Sequence, residues 1–508
     1  MSFIDYKEAY TTGLTISGVG FFSVSSITLT SGVNSPTTLD VICFPKASPT
    51  NVIPITPDIQ SMLGVYHARA QNLLLLDQNA KTPNTAVIVM QKTLSGASQE
   101  LRFDGFLTSS AVTISQGGNV GLRFTASHQA FILSTVNTSI YSKCLPTSEK
   151  TVGESDKLKA VKSLGTAAIL VIEKWERDLA STLATWLPPL QPSEIDYYKA
   201  VHADNAPGLA YAKQILTDNI SNLTLPLLSI IKDFDKPIII GDVIHQILTG
   251  NADLLQGILG SSGLVHHFGL VFSCPFSSPG AMVIRPMDCV SGKTGTKIKI
   301  GSPHMNYSPR VGGPGFVPLR GVRMALSGVS FGPESYVTVG TTSVPKVAYL
   351  TWPRSAATAG VPRVTTISPP AWLKSSLLAV ALSTPVAAGT SPDASVPNVS
   401  GIKAASKATD SQKKDSAESQ ISVMEDWLRI HYEYGALDTS TEDMSFALQL
   451  AIADPGLMAT VTRGNGGTPL FDGFVASVTH SLVVDEDASA ARTSISFSHV
   501  RTPGFRLP

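Results

Sequence analysis

Two stretches of this chain, about 370 residues apart, carry the same strand pattern, and that duplication limits the folds open to it. Phe103-Asp104-Gly105-Phe106 recurs as Phe471-Asp472-Gly473-Phe474. Each copy runs on into an alternating Ser/Thr/Val strand, Leu107 to Ile114 in one and Val475 to Leu482 in the other. A polar turn follows, Gln116-Gly117-Gly118-Asn119 or Asp485-Glu486-Asp487, and then a second alternating strand that ends in Ser-His at His128 or His499. The copies differ by about three residues, which the turn absorbs. Phe124, Ala126 and His128 share one face, as do Ile495, Phe497 and His499, so the alternation stays in phase. A strand also precedes each copy, Thr85 to Met90 and Leu457 to Thr462. A unit of three strands therefore occurs twice, which is the mark of a duplicated domain packed the same way each time. Read as a tight turn, the repeated tetrapeptide assigns Gly105 and Gly473 a positive backbone φ.

Between the copies the pattern changes period. Gly165, Ala168, Ile172, Trp175, Leu179, Leu183 and Trp186 continue a spacing of three and four that starts at Leu158 and Val161. Charged residues fill the other faces and Pro188-Pro189 stop the run, so a long amphipathic helix is expected over 155–187. Further helices are expected over about 193–217, 222–233 and 242–258, and a short one near Pro57-Asp58. Strands are expected at 14–45, at 267–272, 281–284 and 296–300, and within 321–352. Residues 386–420, rich in Ala, Ser, Pro, Asp and Lys, have little to bury and read as an exposed linker. A helix carrying Val423, Trp427, Ile430 and Tyr434 precedes the last β segment.

Composition narrows the function classes. The 508 residues hold 38 Lys+Arg against 38 Asp+Glu, a formal net charge of zero. A balance like that argues against partners that need a basic surface, such as nucleic acid or anionic membrane. Only 15% of residues are charged, against roughly 25% in ordinary soluble proteins, so little charge resists association. Much of the surface is therefore expected to be covered by partner subunits. The length fits three or four domains. The N-terminus lacks the basic and apolar regions of a secretory signal, and no apolar run reaches the length of a transmembrane helix. The four cysteines, Cys43, Cys144, Cys274 and Cys289, contain no CxxC pair and read as buried free thiols.

No catalytic constellation withstands its context. Gly328-Val329-Ser330-Phe331-Gly332 fits a nucleophile elbow, yet strand-like Tyr336 to Val339 follows where a helix is needed. Ser291-Gly292-Lys293-Thr294 lacks the upstream glycine of a phosphate loop, since Met287 stands there. Gly464 to Gly467 reads as a hairpin loop. His266, His267 and His304 invite a metal, but adjacent strand residues point to opposite faces. His128 and His499 read as strand-end histidines bonded to loops. Glu173, Glu176 and Asp178 read as a solvated ion-pair face. No catalytic, cofactor-binding or metal residue is assigned.

The C-terminal stretch carries one resemblance. An aromatic helix with Trp427, Tyr432 and Tyr434 leads to Leu448 to Asp454 and Pro455-Gly456, then into the second copy of the repeat and on to Arg501. This resembles the C-terminal part of central baseplate hub proteins of contractile-tailed bacteriophages. It covers about 90 residues, and the first copy near Phe103 adds a second region. The resemblance implies an α+β, mainly β chain with two tail-tube-like antiparallel β-barrels and an intervening helical domain. The first barrel would span 1–150 and the helical domain 151–262. The second barrel would be split between 263–352 and 453–508, with linker and peripheral helix at 353–452. It further implies a homotrimer in the virion tail baseplate, made in the host cytoplasm. Tail tube protein would lie on one side, with a central spike protein on the other and further baseplate proteins around them. Another tail tube or distal-tail protein, or a tail-associated cell-wall hydrolase, are the rival readings. A single-barrel tube subunit should be shorter and lack the repeat, and a hydrolase needs a carboxylate or Cys/His site.

Overall fold

The computed structural model describes residues 10–16, 20–45, 85–94, 97–114, 120–143, 163–186, 191–221, 240–278, 280–286, 296–300, 306–311, 320–325, 336–339, 342–345, 349–353, 364–367, 427–432, 440–447, 453–463, 469–484 and 489–503. They form two compact units. The first comprises Met1–Thr135, Leu270–Val311 and Ser440–Pro508, and the second Val136–Gly269 and Gly312–Thr439.

In chain order the first unit opens with β1 (Tyr10–Ile16), β2 (Gly20–Gly32), β3 (Ser35–Pro45), β4 (Thr85–Leu94), β5 (Ala97–Ile114) and β6 (Val120–His128). It resumes with β7 (Leu270–Ser273), β8 (Val283–Pro286), β9 (Thr296–Ile300) and β10 (Asn306–Val311). The second unit contributes β11 (Gly321–Ala325), β12 (Tyr336–Val339), β13 (Thr342–Pro345), β14 (Tyr349–Trp352) and β15 (Val364–Ile367). The first unit closes with β16 (Ser440–Ala447), β17 (Met458–Arg463), β18 (Pro469–Val484) and β19 (Ser489–Arg501). The segment read as linker and peripheral helix thus contains β16, and the strands at 321–352 lie in the other unit from β9 and β10.

Twelve strands of the first unit join in one sheet, β1-β4-β5-β6-β3-β2-β18-β19-β16-β10, with β17 and β9 branching from β18. β1 also pairs with β2, so the pairings of the first six strands return to their start. In the second copy the path β9-β17-β18-β19-β16-β10 is open among the described residues. The expectation of wholly antiparallel strands fails at β9, which runs parallel to β17, whereas β1 runs antiparallel to β4.

Alternation explains the core of this sheet. Ile27, Leu29, Leu39 and Val41 are buried, while Thr28 between the first two and Thr38 just before Leu39 are exposed. Phe124 and Ala126 of β6 and Ile495 and Phe497 of β19 do the same, as the repeat requires. Val33 and Asn34 turn β2 into β3, and Asn34 takes a left-handed φ of 58°, which asparagine tolerates. Its Oδ1 accepts from the N–H of Phe272 at 3.0 Å and its N–H donates to the Phe272 carbonyl at 2.8 Å, fixing β7 beside the hairpin.

The helices of the second unit include α1 (Leu164–Trp186), α2 (Pro192–Ile220), α3 (Ile240–Thr249), α4 (Leu254–Leu259) and α5 (Leu264–His267). A further helical turn covers 427–432. The spacing read for α1 lands on its buried face, where Ala168, Ile172, Trp175 and Leu179 are inside. The single helix expected over 242–258 is broken, because the Asp253 side chain accepts from the Gln256 N–H and starts α4 afresh. The strand expected from His267 begins instead at Leu270, after α5 and Gly269 at φ 65°. The helices expected near Pro57 and at 222–233, and the linker at 386–420, lie outside the described residues.

Candidate functional site

The two copies can now be laid on each other by hydrogen-bond register. β4 meets β5 with Thr85 opposite Phe106 and Ala86 opposite Gly105. β17 meets β18 with Met458 opposite Phe474 and Ala459 opposite Gly473. Beyond the tetrapeptide, Leu107 faces Ala126 and Ser109 faces Thr125, so Thr108 is an extra residue. Val475 faces Phe497 and Ser477 faces Ser496, so Ala476 is the same extra residue. A one-residue bulge inverts which side chains face the core beyond it, so a shared position is a shared design. The three-residue difference between copies is confined to the tip that joins β5 to β6 and β18 to β19. The match extends outward: β3 pairs with β6 as β16 pairs with β19, and β2 pairs with β3 as β10 pairs with β16. Asp40 and Asp443 fall on equivalent positions. Asp40 holds Arg123 in a two-pronged ion pair and Asp443 accepts from Ser496 Oγ at 2.7 Å.

The repeated tetrapeptide is not a turn. In both copies it lies inside a long strand, and neither glycine has positive φ. Its glycine serves close approach. A Cβ on Gly105 would lie 2.4 Å from the Ser127 carbonyl oxygen and 2.4 Å from the Phe103 ring. A Cβ on Gly473 would lie 3.1 Å from the Phe497 ring and 3.3 Å from that of Phe471. The phenylalanine two residues earlier folds back over the glycine and is buried, which is the use of glycine within a strand.

One chain also joins the two copies edge to edge. β17 pairs with β18 as far as Phe474, and Gly456 and Leu457 bond Val475. Val33 then bonds the Ala476 carbonyl at 2.9 Å, and β2 pairs with β18 from Ser477 to Val483. The hydroxyls of Thr30 and Thr479 meet across this seam at 3.2 Å. Beneath it Ser31 and Thr37 both donate to the Cys274 carbonyl. Burial pushes the Cys274 thiol up to about 12, so it is chemically quiet.

The histidines of this sheet are structural in their contacts. His128 Nδ1 accepts the Ala130 N–H at 3.2 Å, and burial lowers its pKa to about 4. His499 has φ 55°, bonds Ser498 Oγ at 2.8 Å and meets Phe474 edge-on at 5.9 Å. His480, which the reading of motifs passed over, is fully buried against Phe276 and bonds Thr493 Oγ1 at 2.9 Å.

In the second unit His266 stands 5.8 Å from His431, whose ring also meets Trp427 at 4.2 Å. The two adjacent histidines sit on α5, not on a strand, and burial lowers the pKa of each. Among the described residues no group of three or more His, Cys, Asp or Glu is placed to hold a metal ion. On α1, Glu173 is exposed, Glu176 pairs with Lys213, and Lys174 buries its stem while its ammonium lies 3.6 Å from Asp178. The Gly328–Gly332, Ser291–Thr294 and Gly464–Gly467 motifs and His304 lie outside the described residues. Among the described residues no helix is long and apolar enough to cross a membrane.

No protein-family model matches the chain, and no curated protein matches it. Solved structures do. A tail protein from Neisseria meningitidis MC58 is 11% identical, with 96% of each chain covered and a TM-score of 0.37. The E. coli c3393 protein is described as a type VI secretion component with structural similarity to T4 bacteriophage tail proteins gp27 and gp5. It is 10% identical over 97% of this chain and 79% of its own, with a TM-score of 0.33. Prophage tail protein gp18 from Listeria monocytogenes EGD-e is 8% identical over 94% and 89%, with a TM-score of 0.32. These are phage-tail and baseplate-like proteins, and at such scores the likeness falls short of a shared fold.

Proposed function

We propose that this chain is a structural hub of a tail baseplate, a homotrimer that adapts a hexameric tail tube to a trimeric spike. One observation supports it above the rest. The chain carries the same strand module twice, with the bulge at Thr108 and at Ala476 in common, and joins the two copies side by side through β2 and β18. Three copies of such a chain offer six similar modules, so a threefold oligomer presents a quasi-sixfold surface. A tube of sixfold symmetry and a spike of threefold symmetry can then meet the same body without a gap. The resemblance of the C-terminal stretch to baseplate hubs points the same way.

On this reading β1 to β6 form one tube-like barrel, and β9, β10 and β16 to β19 form the wall of the other. Further baseplate proteins bind the same trimer. The sparse charge of the chain suits obligate interfaces, which approach the apolarity of a domain core. The protein acts without catalysis or cofactor, spans no membrane, binds no specific nucleic-acid sequence, and resides in the virion tail.

Light scattering coupled to size exclusion tests the reading. The purified chain is expected to be a trimer at micromolar concentration, at three times its monomer mass alone and heavier by the mass of the spike when the two are combined. A monomer that persists under both conditions contradicts it.

A further inference from the structure

A ring of such chains needs joints between them, and the strand edges of one chain locate those joints. Within the chain, β2 covers the half of β18 that β17 leaves free, with Ser31 opposite Val478 and Thr30 opposite Thr479. The corresponding half of β5 runs from Ser109 to Ile114. β4 pairs only with residues up to Phe106, β6 occupies the other edge, and among the described residues nothing pairs with this one. The strand that corresponds to β2 in the second copy is β10, and its outer edge has no paired strand among the described residues either. Among the described residues, two of the open edges, the half of β5 beyond Phe106 and the outer edge of β10, therefore correspond to the two halves of the chain's own internal seam.

We propose that β10 of one chain adds to the open half of β5 in the next copy, antiparallel, repeating the β2–β18 seam between molecules. This deepens the ring reading and rests on it. Carrying the internal register across the repeat sets Val311 opposite Ser110, Arg310 opposite Ala111, and Pro309 opposite Val112. Ser308 then faces Thr113, and Tyr307 faces Ile114. The surfaces joined are different on the two sides, so the contact is heterologous and closes only as a ring. Main-chain hydrogen bonds supply the attraction, as in other strand additions. Pro309 has no N–H, and proline within a sheet belongs on an edge strand. Its place in the new seam is that of Leu29 in the internal one, so the joint between chains has one fewer donor. Intermolecular joints are then weaker than the internal seam, and dissociation separates chains before it separates the two copies.

The test uses the full chain. Ala111→Cys with Arg310→Cys places thiols at the pair that corresponds to Thr30 and Thr479, whose hydroxyls touch in the internal seam. Under mild oxidation the double variant is expected to shift from the monomer band to a closed band of three chains on a non-reducing gel. Each single variant is expected to stay at the monomer band. A protein trimeric by light scattering that cross-links only through a frame-shifted pair, Ala111→Cys with Ser308→Cys, overturns the seam and leaves the trimer. A monomer overturns both. Cross-linking that closes at two or four chains upholds the seam and overturns the threefold ring. Hydrogen exchange on the unmodified protein covers the case of a cysteine variant that misfolds. In the oligomer the alternate amides of 110–114 that point away from β6 are expected to be protected from exchange, though less than those of 478–482 in the stronger internal seam. Free exchange there in a trimeric protein contradicts the seam.

Discussion

Gly105 and Gly473 are the same letter of the same motif, yet they bear different loads. At Gly105 the obstacle to a side chain is backbone, the Ser127 carbonyl, which cannot turn aside. At Gly473 the obstacles are aromatic rings that can move by a few tenths of an ångström. Overpacking a core costs about 1–3 kcal/mol, with more where nothing yields. Gly105→Ala is therefore expected to lower stability by about 3 kcal/mol or more, and Gly473→Ala by about 1 kcal/mol, read from the denaturant midpoint. Equal losses would show that the copies pack alike at this point. The sequence revealed that these glycines matter. It did not reveal why, because glycine marks positive φ and close approach with the same letter, and only the position of Ser127 separates the two.

At the scale of elements, buried histidines sit where elements meet. His128 ends β6, His480 lies within β18, and His245 of α3 accepts the indole N–H of Trp175 on α1 at 2.9 Å. His267 lies on α5 and His431 on the 427–432 turn. Burial is the leading cause in each, lowering the pKa to about 4. Between pH 6.5 and 4 the unfolded chain binds protons that the folded one refuses. Stability is then complete above about pH 6.5 and falls as the pH drops toward 4, by at most about 1.4 kcal/mol per pH unit for each histidine. The urea midpoint is expected to fall across that window, and His480→Gln is expected to flatten the fall. A midpoint independent of pH there contradicts the buried, neutral state.

Legibility at this scale follows contact distance. The phase of the repeat strands and the buried face of α1 were plain, since both are written in spacings of two, three or four residues. Pairing of β2 with β18 was not, because Thr30 and Thr479 are 449 residues apart and nothing local encodes their meeting. β16 was hidden for a related reason: Ser-Thr-Glu-Asp-Met-Ser-Phe-Ala offers a weak alternation that gains its meaning only beside β19.

For the whole molecule the duplication has a consequence beyond stability. The proposed seam makes a chain with two like modules incomplete alone and lets further copies of itself complete it. Averaged electron-microscope projections of the purified oligomer down its symmetry axis test this most directly. They are expected to show a ring of six lobes in which two kinds alternate, so that the true symmetry is threefold. Projections without a ring, or with any other number of lobes, contradict the account.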